Sequence, residues 1–494
     1  MVDKKIKMNK VNLQDDELLA ELNDWGGPSE MSAFESVMWR AEIDPRLRST
    51  TTSVLFLDRV PDWKSFLTAH RWMVNVVPRF RQRVVVPALG IGNPTWIEDP
   101  DFHLDYHLRH VRLPAPGSER QLFDIAQTLA MTPFDKARSP WEATLVEGLE
   151  GGRAAYILKL HHATSDGLGI IQLLTRVFGK GRDDTKRPHP AKSNVIEMRA
   201  PTPTELATKQ IRTRLLALPA EAAGSISTIT RSLGRWACKP GAVRKGLAYV
   251  WSAKRVLGIR PVAGSGLFSK RSLSWRFDAI EIPLIQVKVA AKAANASVND
   301  IFLSGLIGGF RRYHEEMGVP IKQMPIGFPI SLRSENDVMG GNKFAGAQYA
   351  APVSMKDPLK RIRHIQQFIK QIRAEPALDV MIRLMPLVTH LPLATVTALT
   401  ADFTVALDAQ ISNIPGIPHP VYFGGAEVTH FWPFAPVPGC GMMITMVSHN
   451  GRCCIGINSD RAAVTEPELL VKCFRAGLQE VLAIDKPKKP VRKV

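Results

Sequence analysis

No run of apolar residues in this 494-residue chain approaches the ~20 that a membrane-spanning helix requires. The opening residues, Met1-Val2-Asp3-Lys4-Lys5-Ile6-Lys7, have no apolar stretch behind them, which argues against a secretory signal. Both features lead us to expect a cytoplasmic protein. Cysteine is scarce: Cys238, Cys440, Cys453, Cys454 and Cys473 show neither disulfide nor metal spacing. Cys453 and Cys454 sit inside the apolar run Arg452 to Ile457 and read as small buried side chains. His103, His107 and His110 are neighbours, but on an extended strand they need not converge, so no metal site is expected. Internal repeats are missing. Negative charge is short as well, with 46 Asp and Glu against 64 Lys and Arg, a net charge of +18. Such an excess implies an anionic partner: nucleic acid, acidic lipid headgroups or a phosphorylated substrate.

The positive charge is concentrated. Residues 201–260 hold eleven basic side chains against two acidic ones, and Lys486 to Lys493 forms a second cluster. The first stretch has no recognisable nucleic-acid-binding fold, a poor fit to a nucleic-acid binder. Its Ala/Leu-rich, moderately amphipathic pattern suits a helix that joins two domains or one that lies on anionic lipid.

The composition, 45% hydrophobic and 22% charged, is that of a globular protein, and the length suffices for two domains with separate cores. Residues 1–30 read as loose apart from a short helix from Asp16 to Leu22, and Glu30 to Arg40 is expected to begin the first strand region. A helix follows Asp62, and another covers residues 121–132, with Leu122, Ile125, Ala126 and Leu129 on one face. Leu145 to Leu149, a Gly151-Gly152 turn and Ala154 to Leu160 read as a hairpin. A polar, proline-containing linker occupies 183–203.

Beyond the linker, Leu273 to Phe277 reads as a strand and Leu284 to Ala294 as a helix. Ser297 then caps a further helix with Asp300 three residues on, which places Asn299 in its first turn beside free N–H groups. Met442 to His449, Asn450-Gly451 and Arg452 to Ile457 form a second hairpin. Thr465 to Glu468 reads as the capping box of the last helix.

One stretch carries chemistry. His161-His162-Ala163-Thr164-Ser165-Asp166-Gly167 follows the apolar strand Ala154 to Leu160 and precedes a helical run. Histidine moves protons near neutral pH, and a strand end is where a rigid scaffold presents such a group. Adjacent side chains on an extended segment point opposite ways, so only one histidine faces a given cavity. Asp166 is placed to fix the loop, and Gly167 to adopt a backbone conformation that other residues resist. Ser165 is near the histidines, but a serine-hydrolase reading would need a separate oxyanion loop.

The pattern His161-His162-x-x-x-Asp166-Gly167 resembles the signature of the CoA-dependent acyltransferase superfamily, which includes chloramphenicol acetyltransferase and peptide-synthetase condensation domains. Within it the chain looks most like the bacterial wax ester synthase/diacylglycerol acyltransferases. Trp96 to His107, Ser139-Pro140-Trp141-Glu142 (where the family carries Pro-Leu-Trp-Glu), Asn299-Asp300, Pro329-Ile330-Ser331-Leu332-Arg333 and Ser412-Asn413-Ile414-Pro415-Gly416 support the narrower resemblance. It covers roughly residues 30 to 480.

The resemblance implies an α/β fold of two chloramphenicol-acetyltransferase-like halves, each with a mixed sheet, and an active-site tunnel between them. On this basis 1–30 is a loose N-terminal segment, 31–182 the first half, 183–270 a basic helical linker, 271–485 the second half and 486–494 a basic tail. It implies acyl transfer from acyl-CoA to diacylglycerol or a long-chain alcohol. His162 is the expected general base and Asn299 the next catalytic candidate, at the oxyanion or the acceptor. His161, Asp166, Gly167, Asp300 and Arg333 would support the motif, with Arg333 pairing Asp166. No cofactor is expected, acyl-CoA being a substrate. Reversible association with an anionic membrane or lipid droplet is expected, and no nucleic acid. The alternative is a catalytically weak lipid-binding relative, suggested by the departures at Ser139-Pro140-Trp141 and in the N-terminal segment.

Overall fold

The computed structural model describes residues 15–90, 92–183, 201–212, 262–331, 339–342, 344–375, 395–398 and 407–484. Arg333, most of the basic stretch 201–260 and the tail 486–494 lie outside the described residues.

Two six-stranded mixed sheets carry the fold. The first runs in the order β11 (Tyr422–Phe423), β12 (Ala426–Phe434), β1 (Thr50–Leu57), β6 (Ala154–His161), β5 (Trp141–Glu147) and β4 (Leu108–Arg112). Its pairs are antiparallel except β4 with β5. The second runs β7 (Trp275–Pro283), β14 (Arg452–Asp460), β13 (Met442–His449), β10 (Ala409–Ile414), β8 (Met324–Ser331) and β9 (Phe344–Ala351), with β13, β10 and β8 parallel. A small ribbon pairs β2 (Gln82–Val85) with β3 (Thr95–Glu98). Two strands break the sequence order: β11 and β12, from late in the chain, join the first sheet, β12 lying against β1.

The period of two along β6 explains how the layers form. Tyr156, Leu158 and Leu160 pack with Phe66 and Met73 of the helix Trp63–Val76 and with Ile170 and Leu174 of the helix Gly167–Val177. The alternate residues Ala155 and Ile157 face a cluster shared by both halves. That cluster includes Phe123 of the helix Glu119–Met131 and Phe277 and Cys454 of the second sheet. The outer face of the second sheet is covered by the helices Leu284–Ala293, Val298–Glu316, Pro358–Arg373 and Pro467–Leu482 around Phe302, Leu306, Phe310 and Phe474. Among the described residues, no helix is long and apolar enough to cross a membrane.

Both hairpins form as expected, β5 with β6 and β13 with β14. Ser297 caps its helix through a box with Asp300, and Cys453 and Cys454 are buried thiols.

Four local expectations are corrected. Glu30 to Arg40 does not open a strand: Ala33–Ala41 is a helix, because Ser32 and Glu35 form a capping box that satisfies its first N–H groups. Leu104–His107 is a single helical turn between β3 and β4 rather than extended chain. The last helix starts at Pro467 behind Glu466, with no side-chain cap, since proline fits the first helical position, where no N–H partner is needed. The segment before residue 31 is anchored from residue 15 onward. Leu22 and Trp25 are buried, and the Trp25 indole donates to the Gly169 carbonyl at 3.0 Å.

Candidate active site

β6 ends at His161, and the chain then turns over five residues into the helix that begins at Gly167. The pairing of β1 with β6 sets Thr50 opposite His161, and the His162 N–H donates to the Ser49 carbonyl at 2.7 Å. This fixes the backbone at both histidines, and their side chains diverge as alternation requires.

His161 faces inward. Its ring meets Trp39 edge-on, with centroids 4.7 Å apart, and its Nδ1 accepts the Ala163 N–H at 3.0 Å. Its Nε2 lies 3.4 Å from the Glu42 carboxylate.

His162 is half-buried and turns toward the second half of the chain, where its Nδ1 lies 2.9 Å from Oδ1 of Asn342. Burial pushes the His162 imidazole below its ordinary pKa, while the negative charge of Asp166 and the Asn342 contact act in the opposite sense. A neutral imidazole, ready to accept a proton, is favoured at physiological pH.

Asp166 is the N-cap of the helix Gly167–Val177, its carboxylate accepting the Gly169 N–H at 2.9 Å. Its own N–H donates to the Gly341 carbonyl at 3.0 Å. The loop-fixing role is therefore met through backbone donors, while the expected pairing with Arg333 lies outside the described residues. Gly167 is required for a reason other than the expected one. Its φ is outside the left-handed region, but a Cβ there would come within 2.3 Å of Ile414 Cδ1. The Ser412-Asn413-Ile414 segment on β10 is thereby packed against the His-His turn. Ser165 is buried, and its hydroxyl donates to the Asp166 carbonyl, an arrangement without the Ser–His pairing of a hydrolase.

Asn299 sits half-buried in the first turn of the helix Val298–Glu316, as expected. Near the C-terminal end of that helix, His314 bonds Ser265, and the Ser265 N–H donates to Asp408, just ahead of β10. The helix has 19 residues, about 28 Å at 1.5 Å per residue. Its first turn therefore lies toward the other end of the second sheet, where Ile414 meets Gly167. The hydrogen bonds of His162 described above run to Ser49 and Asn342 and not to Asn299. Asp300 is buried and occupied by its cap, its carboxylate accepting the Ser297 N–H at 2.8 Å.

Trp141 and Glu142, from the Ser-Pro-Trp-Glu segment, serve packing. Trp141 stacks on His107, and its indole donates to the Phe80 carbonyl. Glu142 holds the buried Lys159 at 3.3 Å.

Sequence reasoning missed Glu35, Glu42 and Asn342. Ser32-x-x-Glu35 is a visible capping-box signature, and Gly340-Gly341-Asn342 a visible turn. Neither signal says that the two segments meet. Asn342 Nδ2 donates both to the His162 carbonyl, at 2.9 Å, and to Glu35 Oε1, at 3.2 Å. No group of three or more potential metal ligands forms among the described residues.

The chain is similar over most of its length to named proteins and solved structures. A protein of Mycobacterium tuberculosis strain H37Rv, named as a diacylglycerol O-acyltransferase, is 37% identical over 456 residues, 92% of each chain. Among solved structures, the wax ester synthase/diacylglycerol acyltransferase from Marinobacter aquaeolei VT8 superposes with a TM-score of 0.60 at 20% identity. It covers 92% of this chain and 98% of its own. The first condensation domain of the calcium-dependent antibiotic synthetase superposes with a TM-score of 0.61 at 15% identity, over 93% and 97% of the two chains. These likenesses show a fold of two sheet-bearing halves. Residues 29–302 match the wax ester synthase/diacylglycerol acyltransferase catalytic domain and residues 340–481 the C-terminal domain of the same family. The two turns that meet at His162, one in each matched region, thus belong to a single design, and the chain is a member of the wax ester synthase/diacylglycerol acyltransferase family.

Proposed function

We propose that the protein transfers a long-chain acyl group from acyl-CoA to the hydroxyl of diacylglycerol, of a long-chain alcohol, or of both. The observation that carries this reading is His162, a half-buried histidine at a strand end, oriented from both halves of a fold whose family acylates such acceptors. His162 takes the proton from the acceptor hydroxyl as that oxygen attacks the thioester carbonyl carbon. The tetrahedral adduct collapses with loss of the C–S bond, and His162 returns the proton to the leaving thiolate, giving ester and free CoA. The thioester is already activated, so the reaction needs no covalent enzyme intermediate. Acyl-CoA and acceptor would reach His162 through a channel between the halves, and Asn299 would bind the developing oxyanion or orient the acceptor.

The direct test is thiol release from palmitoyl-CoA, with diacylglycerol, with hexadecanol and with neither. Acceptor-dependent release that falls by ~10²–10⁴-fold in a folded His162→Ala supports the assignment. Retention of more than about a tenth of the activity removes His162 as the base. A protein that binds these lipids without releasing thiol would instead be a non-catalytic relative.

Reversible attachment to an anionic lipid surface belongs to the same reading, resting on the net charge of +18 and on the exposed Lys209 and Arg212 of the described helix at 203–212. Each basic residue near such a surface contributes ~1 kcal/mol, screened by salt. Flotation with anionic liposomes should weaken as salt rises. Equal, salt-insensitive flotation with neutral liposomes would rule out an electrostatic anchor.

A further inference from the structure

We propose that Asn342 and Glu35 are positioning residues that hold His162 in a single tautomer, with its proton on Nδ1, so that Nε2 is the nitrogen that exchanges a proton with substrate. The inference rests on the reading of His162 as the general base, but its structural core does not depend on which acceptor is used.

The argument is one of donors and acceptors. An asparagine amide offers two N–H donors on one side and an acceptor oxygen on the other. Two groups face Nδ2 of Asn342, the His162 carbonyl at 2.9 Å and Glu35 Oε1 at 3.2 Å. A carbonyl is an acceptor only, and so is an ionised carboxylate. Both demand a donor, so the amide has one permitted orientation, with Oδ1 toward His162 Nδ1 at 2.9 Å. Oδ1 accepts only, so Nδ1 must carry hydrogen. The tautomer follows from four groups and three distances, and the neutral ring is left with its lone pair on Nε2.

Each member of this chain is itself held. Glu35 Oε2 accepts the Ser32 N–H at 2.9 Å, which turns the other carboxylate oxygen outward from the cap of the helix Ala33–Ala41. Gly340 and Gly341 both have positive φ, 81° and 66°, a turn that other residues strain to make. The turn is pinned on two sides: the Gly26 N–H donates to the Met339 carbonyl, and the Asp166 N–H to that of Gly341. A Cβ on Gly340 would lie 2.5 Å from the Gly26 nitrogen, and one on Gly169 2.7 Å from the Gly340 Cα, so the backbones approach closely here. Such locking is what a base needs, because the wrong tautomer presents a donor to the substrate in place of a lone pair.

Glu35→Gln is the discriminating variant. Glutamine still completes a capping box, so the helix start survives, but one of its two terminal atoms is now a donor. With its oxygen kept on the Ser32 N–H, its NH2 faces the Asn342 NH2. The amide must then either lose that contact or flip, and a flipped amide sets Oδ1 against the His162 carbonyl and a donor against Nδ1. Asn342→Ala removes the Oδ1 acceptor and leaves the bond of the ring to its own backbone as the remaining hold.

The experiment combines kinetics with the nitrogen shifts of histidine. Chains with 15N-labelled histidine, the His162 signals assigned by difference from His162→Gln, should show Nδ1 protonated and Nε2 unprotonated in the neutral ring of the wild type. Asn342→Ala should raise the share of the other tautomer above that in the wild type. Both Asn342→Ala and Glu35→Gln should lose kcat by ~10-fold or more, a part of the ~10²–10⁴-fold worth of a general base, with acyl-CoA KM and melting temperature little changed. A wild-type His162 protonated on Nε2 overturns the proposal whatever the variants do, as does unchanged kcat in both variants. If the wild type shows no acyl transfer, the proposed function fails while the nitrogen shifts still decide this inference.

Discussion

Glu42 and His161 face each other across 3.4 Å, both nearly sealed from solvent, beneath the ring of Trp39. Burial alone would raise the Glu42 pKa. The attraction and hydrogen bond of His161, the Ser49 N–H and the charge of Lys136 outweigh it and hold the carboxyl down to about 2 from 4.5. A carboxyl lowered in this way stabilises the fold at pH values above about 4.5, and the contribution drains away as pH falls toward 2. The lowering amounts to about 3 kcal/mol. Denaturant titrations at pH 7 and pH 3 should show Glu42→Gln costing stability at the first and much less at the second. An equal cost at both pH values would detach the pair from the acid sensitivity of the fold. His161→Ala should likewise lose yield or melting temperature, since a ring packed on Trp39 is removed.

Gly167→Ala should destabilise by about 1–3 kcal/mol through overpacking against Ile414. Ile414→Ala in the same chain should recover much of that loss, since the obstacle is the end of a side chain 2.3 Å away rather than the backbone. A double variant no better than the sum of its parts would return Gly167 to a backbone role.

Asp166→Ala should cost about 1 kcal/mol or more by uncapping its helix. Asp166→Asn, which caps as well, should keep most of that stability. Soluble yield and melting temperature read beside turnover check this. A fully stable but inactive Asp166→Ala would transfer the residue to the chemistry.

Asn299→Ala should lower kcat by ~10²-fold or more with little change in the acyl-CoA KM if the amide donates to the oxyanion. Asn299→Asp should be at least as harmful, because a carboxylate repels developing negative charge. A loss confined to the acceptor KM would indicate orientation of the acceptor instead. Unchanged kinetics would remove Asn299 from the site.

What was legible in the sequence was local. The apolar run of β6 followed by Asp166-Gly167 showed where the histidines stand, Asn450-Gly451 marked the hairpin of the second sheet, and Ser297 with Asp300 marked the helix that carries Asn299. The misreadings were of two kinds. Ala33–Ala41 has its own signal, the Ser32–Glu35 capping box, which prevails over the strand expected from Glu30 to Arg40. Asn342 follows a visible Gly-Gly turn, but that turn says nothing of what it meets. Its meaning comes from a residue 180 positions earlier, and no periodicity or propensity reports an approach over that distance. Gly167 was recognised as necessary, but its constraint is the volume occupied by Ile414, which only packing reveals.

The place of β12 between β11 and β1 sets a schedule for biogenesis. Thr52 waits for Phe434, its neighbour across the sheet, while about 380 further residues are made. At about 5–20 residues per second that interval is roughly 20–80 s. Throughout it, the outer edge of β1 is a bare row of N–H and C=O groups open to any passing strand. The nascent first half thus leaves the ribosome as an unfinished template. A chain cut between the halves would keep that edge exposed for good.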